Sequence, residues 1–409
     1  MEPITVIYLA YSFIAFYFLF LFILTYIQNK KDIFSYPKSN KNYSLSLVVP
    51  CYNEGNTIEE TIKSILNAGY KNLKKVIVVD DCSKDNSYEI IKKLAKKYPK
   101  VMAVQTPKNT GCAAGSKNYG AKFVDTELIG FSDGDSFIEK GSIDKMVGFF
   151  NDIKVASVTA SVLVHNRNNF IEKLQAIEYK IIKFSRKLLE FFDSIYVTPG
   201  PLGIFRKSAF DKVGGFDEKN LTEDIEITWH FQAEGYKVKM AVPARSYTIA
   251  PSKIKHWISQ RNRWNIGGLQ TIIKYGNTWF RKGMLGSFIL PFFVLSWVLG
   301  LFGLTVLVYR LVRTLVLRYL STTYSVQAQT AVFQFSDINL TPHVLLFFGI
   351  TLFVLGLWFT IVALVNMREP RRKRENFFTV GFYMIFYLLM YPIILIISAY
   401  KFIRGNKKW

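Results

Sequence analysis

Cysteine is scarce in this chain: three residues in 409, Cys51, Cys82 and Cys112, with no CxxC pair among them. That spacing excludes a disulfide-stapled scaffold and a cysteine-built zinc site, and it fits a reduced, cytoplasmic setting. Acidic residues are also few, 30 against 52 lysines and arginines, for a formal net charge of +22. A cation excess on this scale points to nucleic acid, an anionic membrane face or phosphorylated substrates. There is no internal repeat and no low-complexity linker. Half of the residues are hydrophobic and 20% are charged, which excludes intrinsic disorder for most of the chain.

What the sequence does contain is long apolar runs. A mean hydropathy of +0.17 is too apolar for an ordinary soluble enzyme and too polar for a bare membrane bundle. Residues 4–27 carry no charge, more than the roughly 20 residues a helix needs to cross a bilayer core. The run is too long for a signal-peptide core and lacks a basic flank and a small-residue cleavage site before it, so it reads as a retained anchor. Lys30, Lys31, Lys38 and Lys41 follow it and only Glu2 precedes it, which orients the next segment toward the cytoplasm. Three further runs, 283–309, 344–365 and 377–400, are each long enough to span. The basic stretch Arg368 to Glu375 between the last two is expected on the cytoplasmic side. Parity then leaves both termini outside, along with Arg310, Arg313, Arg318 and the cations from Lys401 to Lys408, against the charge rule.

Residues 44–277 form the polar domain, flanked by an anchor within 1–30 and a membrane region over 283–409. Short β-branched runs at 45–49, 76–80, 101–105 and 128–132 alternate with helical stretches beginning near Thr57, Asn86 and Ala113. This rhythm predicts an α/β fold with a mostly parallel sheet and helices on both faces, and ligands at the carboxyl ends of its strands. Two amphipathic, basic helices are expected at about 170–192 and 254–275, either in the membrane interface or packed as ordinary surface helices.

Carboxylates close two of the predicted strands: Asp80-Asp81 and Asp133-Gly134-Asp135. Such pairs either hold a divalent ion together with a ligand's phosphates or simply make turns. Thr222-Glu223-Asp224 opens a helical segment, where it either caps the helix or supplies chemistry. Gln260-Arg261-Asn262-Arg263-Trp264 lies within the second amphipathic helix. There Arg263 can neutralise a diphosphate through its two-pronged guanidinium, and Trp264 offers the flat apolar face on which sugars stack. The loop Gly111 to Gly115 does not follow G-x-G-x-x-G, so NAD binding has no support.

In this order, Pro50-Cys51-Tyr52-Asn53-Glu54, Asp80-Asp81, Asp133-Gly134-Asp135, Thr222-Glu223-Asp224 and Gln260-x-x-Arg263-Trp264 resemble the membrane-embedded, processive branch of family 2 glycosyltransferases. That branch includes the cellulose, chitin, hyaluronan and poly-N-acetylglucosamine synthases. The resemblance implies a GT-A, Rossmann-like domain. Tyr52, Glu54 and Asp81 would bind the nucleotide end of a UDP-sugar. Asp133 would face the ribose and sugar and, with Asp135, hold Mg²⁺ or Mn²⁺. Asp224, beside Glu223, would be the general base. Gln260 and Arg263 would cover the pyrophosphate, while Trp264, Thr222, Gly200 and Pro201 would line the acceptor path. The family's glycine loop often carries a cation just behind its glycines; here the nearest is Lys117, either a phosphate ligand or a helix-surface lysine.

One base and no second catalytic carboxylate imply a single displacement that inverts the anomeric centre; a paired-carboxylate hydrolase is the contrast. The expected product is a β-linked polysaccharide made at the plasma membrane, with a homo-oligomer or accessory secretion subunit completing the path of the polymer. The alternative is a transferase adding one sugar to a membrane lipid, similar to ceramide glucosyltransferases. A non-catalytic basic protein binding nucleic acid is disfavoured, because the cations are dispersed and gather beside membrane segments.

Overall fold

The computed structural model describes residues 3–329, 344–369 and 375–405. The first helix, α1 (Pro3–Asn29), leads into β1 (Leu45–Cys51), α2 (Ile58–Leu66), β2 (Leu73–Asp80), α3 (Ser87–Lys97), β3 (Val101–Gln105), α4 (Ala113–Ala121) and β4 (Leu128–Phe131). Leu45, Leu47 and Val49 bury into one layer while Val48 buries into the other, the two-residue alternation of a strand covered on both faces. On one of those faces Gly120 of α4 lies so close that a Cβ would come within 2.5 Å of Val48 and 2.7 Å of Val79. A glycine there lets the helix sit directly on the strands.

The chain continues through β5 (Ser136–Ile138), α5 (Asp144–Val147), β6 (Val155–Val164), α6 (Phe170–Glu190), β7 (Gly203–Arg206), α7 (Lys207–Lys212), α8 (Glu223–Ala233), β8 (Lys237–Thr248) and α9 (Ile254–Lys274). All eight strands join one sheet in the order β3-β2-β1-β4-β7-β6-β8-β5. The first four are parallel, as the sequence predicts. Beyond β4 the sheet is mixed: β7 runs antiparallel between β4 and β6, and β5 runs antiparallel on β8. The chain order reverses at β1 and β4, and the crevice at their carboxyl ends is where ligands of open sheets bind.

Three long helices follow: α10 (Leu290–Gln327), α11 (Val344–Asn366) and α12 (Phe377–Ile403). With α1 they make four helices long and apolar enough to cross a membrane. The helix α10 extends well past the expected end at residue 309 and carries Arg310, Arg313 and Arg318 within it. No glycine or proline interrupts it after Gly303, and arginine is a good helix former. Residues 370–374 of the basic stretch, and Lys407 and Lys408, lie outside the described residues.

The hub between the two regions is α6. Its Phe184 ring meets Tyr26 of α1 at 5.5 Å and Phe359 of α11 at 5.3 Å. Lys180 pairs with Glu375 and lies 3.5 Å from Glu369, which also pairs with Arg167. The described ends of the α11–α12 connection are thereby tied to the polar domain. The cations of α6 also correct the simple amphipathic picture: Lys180, Lys183, Arg186 and Lys187 are all buried within the protein rather than turned to headgroups. Lys187 pairs with Glu190 one turn on, but Lys180 and Lys183 find theirs in the distant α11–α12 connection and the end of α11, which helical spacing does not reveal.

Candidate active site

A cleft of about 520 Å³ opens above the ends of β1, β2 and β4. Two of its acidic walls come straight from strand alternation. Asp80 and Asp81 are neighbours whose carboxylates part. Asp80 is fully buried and accepts Gln105 Nε2 at 2.8 Å, whereas Asp81 lines the cleft. The loop after β3 grips Asp81: Thr106 Oγ1 donates at 2.8 Å, Thr110 N–H at 3.0 Å and Thr110 Oγ1 at 2.8 Å, while Asn109 Nδ2 donates to the Asp81 carbonyl at 2.7 Å. Tyr52 lies at the exposed rim of the same wall, and Glu54, held by Thr57 Oγ1 at 2.8 Å, stands behind it.

Asp133 and Asp135 both reach the cleft from the turn after β4. The Asp133 carboxylate abuts Gly200 so closely that a Cβ there would come within 2.3 Å of it. Asp135 has only long contacts from hydroxyls, Ser136 Oγ at 3.3 Å and Thr248 Oγ1 at 3.4 Å. Burial pushes Asp135 up to about 7, and the negative Asp133 and Glu54 add to the shift. Burial likewise raises Glu54, with Asp133 and Asp85 contributing. A buried carboxylate crowded by others and short of donors is a place a dication stabilises, and hard oxygen ligands suit Mg²⁺ or Mn²⁺. Among the described residues no three carboxylate, imidazole or thiol side chains gather closely enough to hold an ion unaided. An ion here would share its shell with donor phosphates, the usual arrangement for Mg²⁺.

The opposite wall is helical. Thr222 precedes α8 without a side-chain cap; its hydroxyl bonds Asn220 Oδ1 at 3.2 Å, which removes simple capping as its role. Glu223 and Asp224 both line the cleft. Between them and the strand-end acids stands Lys117, buried, with Nζ 2.9 Å from Glu223 and 3.3 Å from Asp133. It is neither a surface lysine nor free to wrap a phosphate, because its charge is committed to these two carboxylates. Burial alone would lower Lys117, but Glu223 and Asp133 outweigh it and hold the ammonium well above its ordinary range. Glu223 is correspondingly held below its ordinary value, Lys117 outweighing the effect of burial. Asp224 goes the other way: burial first and Glu223 second push it up to about 6, against the pull of Lys117 and Arg263.

The remaining wall is α9, which contributes Arg263 and Trp264. It sits tightly on the start of α8: a Cβ on Gly267 would fall 2.2 Å from Thr222 Oγ1. Twelve of the fourteen expected residues thus meet in one cleft: Tyr52, Glu54, Asp81, Lys117, Asp133, Asp135, Gly200, Thr222, Glu223, Asp224, Arg263 and Trp264. Two do not line it. Pro201 is structural, its carbonyl accepting both Ser132 Oγ and Ser246 Oγ at 3.0 Å. Gln260 turns to the neighbouring helix, its Oε1 accepting Gln175 Nε2 at 3.1 Å and Arg261 Nη1 at 3.2 Å. Conversely Asn109, Cys112, Ser116 and Leu221 line the cleft unanticipated. The signal for the first two was the Asn-Thr-Gly turn, in which Gly111 adopts φ 77°.

Residues 46–214 match the sequence family described as Glycosyl transferase family 2. In that stretch the chain is similar to family 2 glycosyltransferases. It is 28% identical over 260 residues to the poly-β-1,6-N-acetyl-D-glucosamine synthase of Staphylococcus aureus (strain MSSA476), over 63% of this chain and 62% of that one. The chain therefore spans less than two thirds of the length of that relative in the match. The synthase of the same name from Staphylococcus epidermidis is 25% identical over 365 residues, 89% of this chain and 84% of that one. Among solved structures, the mannosyltransferase PcManGT of Pyrobaculum calidifontis, in complex with GDP-Man and Mn²⁺, aligns with a TM-score of 0.58 over 96% of this chain and 98% of that chain. At 16% identity this is a likeness of fold, and it agrees with the GT-A reading of a family 2 domain attached to apolar helices.

Proposed function

We propose that this protein is an inverting, membrane-integrated glycosyltransferase. It transfers N-acetylglucosamine from UDP-N-acetylglucosamine to the end of a growing β-linked polysaccharide, with its polar domain in the cytoplasm and its helices in the plasma membrane. The observation that carries this reading is the convergence of Asp81, Asp133, Asp135, Asp224, Arg263 and Trp264 on one cleft. The likeness to two poly-β-1,6-N-acetyl-D-glucosamine synthases supports the choice of sugar and of a polymeric product.

In this reading Tyr52 and Asp81 receive the nucleoside, and the braced Asp81 carboxylate keeps its position without rearrangement on binding. Asp135, with Asp133, would hold Mg²⁺ or Mn²⁺, which when bound would offset the charge of the diphosphate. Arg263, from the α9 wall, adds a cation beside the same group, favouring the charge that develops as the sugar–phosphate bond breaks. Asp224 removes the proton from the attacking acceptor hydroxyl. Its raised value suits that role, since a base near the working pH is largely ionised yet still basic. Glu223, neutralised by Lys117, is not free to share the task. Trp264 stacks the acceptor's terminal sugar, and a homo-oligomer or accessory subunit would widen the path across the membrane.

The test is turnover of UDP-N-acetylglucosamine by the purified full chain in nanodiscs with Mg²⁺ or Mn²⁺. The product is then digested with β-1,6-specific and β-1,4-specific hydrolases. A high polymer cut by one of these supports the reading. A single extractable glycolipid would replace it with the lipid-acceptor alternative, and no release of UDP from any UDP-sugar would defeat it.

A further inference from the structure

Against Trp264, which lines the cleft, lies a buried charged cluster that none of these roles uses. Glu178 of α6 is almost fully enclosed and pairs with Arg261 of α9, itself 1% exposed. The same carboxylate accepts hydrogen bonds from two phenols of α12, Tyr391 Oη and, at 3.1 Å, Tyr387 Oη. Trp257, Arg261 and Trp264 recur at four- and three-residue spacing and so share one face of α9. The Arg261 guanidinium lies over both indoles, 5.3 Å from the Trp257 ring and only 4.0 Å from that of Trp264. Gln260, bonded to Gln175 of α6, reinforces the same contact. Farther along α12, Ser398 donates to Asn262 Oδ1 at 2.8 Å and accepts Asn265 Nδ2 at 3.4 Å, the two residues that flank Arg263 and Trp264.

We propose that Glu178 and Arg261 are positioning residues that fix the indole of Trp264 from behind, and that Tyr387, Tyr391 and Ser398 anchor this support in α12. A guanidinium stacked on one face of an indole holds the ring's plane and leaves the opposite face to the cleft. An arginine can do this only if its own fork is fixed; here the Glu178 carboxylate takes one prong, Nη2, and Gln260 Oε1 the other, Nη1. The fourth apolar helix is then part of the acceptor site, so that a shift of α12 moves the platform on which the acceptor end rests. The inference builds on the acceptor role proposed for Trp264.

The test uses the full chain in nanodiscs labelled with 5-fluorotryptophan, the Trp264 resonance being assigned by Trp264→Phe. Glu178→Gln and Arg261→Lys are expected to displace that resonance and to raise KM for a soluble β-linked N-acetylglucosamine oligosaccharide about tenfold. KM for UDP-N-acetylglucosamine and its acceptor-free hydrolysis should stay within about twofold. Tyr391→Phe removes one hydroxyl without unpairing a buried charge, and should move the same two readouts in the same direction by about two- to threefold. An unmoved Trp264 resonance in all three variants would overturn the inference, as would a donor KM that rises in step with the acceptor KM. Absence of any UDP-sugar turnover by the unmodified chain defeats the proposed function instead, and the resonance still decides whether Glu178 and Arg261 hold the indole.

Discussion

The two walls of the cleft are built on different principles. On the strand side Asp81 and Glu54 are supported by backbone and hydroxyl groups of nearby turns: Asp81 by Thr106 and Thr110, Glu54 by Thr57. On the helical side, charges support one another across the fold, with Lys117 spanning Glu223 and Asp133 and Arg261 spanning Glu178 and Trp264. A wall held by local turns is set as soon as the strands pair. A wall held by ion pairs between helices exists only when α4, α6, α8, α9 and α12 have all docked, and it responds to charge. The strand wall is therefore suited to binding a constant nucleotide, and the helical wall to the steps in which charge and acceptor change.

The contrast can be tested from its strongest expected effect downward. Asp224→Asn should cut sugar transfer by about 10³-fold while leaving UDP-sugar affinity within a few-fold. Rates of labelled sugar incorporation set beside calorimetric donor binding check this, and equal loss in both would remove Asp224 as the base. Asp135→Ala, on the strand side, should weaken donor binding about tenfold or more and make it indifferent to chelator. A chelator response as large as that of the unmodified chain would take Asp135 out of the ion's shell.

Lys117→Met leaves Glu223 and Asp133 facing each other without their shared cation, and should destabilise the domain by about 3 kcal/mol. Thermal unfolding of the detergent-solubilised chain would measure it. The same helical wall sets the pH response. Because the base must be ionised, transfer should fall as pH drops through about 6, the value to which Asp224 is raised. Glu223→Gln removes a negative neighbour and should move this limb to lower pH. Lys117→Met removes a positive one and should move it higher. A limb that ignores both substitutions would assign the titration to another group.

The smallest effect is expected where the two helices touch. At Gly267 a methyl would overlap the Thr222 side chain, so Gly267→Ala should force α9 from α8 and cost about 1–3 kcal/mol. Thermal unfolding measures the cost; the Asp81 wall should be untouched, so any rise in donor KM should come through Arg263 on the displaced α9.

Much of the strand wall was legible from the chain. The elements β1 to β4 follow from short buried runs bounded by turn residues, and the acids that end them follow from those boundaries. Yet the run Asp80-Asp81 taken alone does not say which carboxylate faces the cleft; the resemblance singles out Asp81, and the physical reason is where the loop bearing Thr106 and Thr110 folds over. The helical wall was legible only as motifs. Lys117 read as a phosphate ligand or, more readily, as a helix-surface lysine, and Gln260 read as a donor contact although its partner is Gln175. Glu178, one of three acids in a lysine-rich helix, gave no local signal because both of its phenolic partners lie more than two hundred residues onward.

By itself, the sequence determined the strands β1 to β4, the amphipathic helices α6 and α9, the four apolar helices and the acids that end the strands. Each of these rests on side-chain periodicity or turn chemistry within a few residues. Only the tertiary structure decided which charges pair, which face of α6 is buried and which side of Trp264 is supported. Those outcomes depend on desolvation and contact between segments far apart in the chain, and a buried charge takes its character from the partner that folding brings to it.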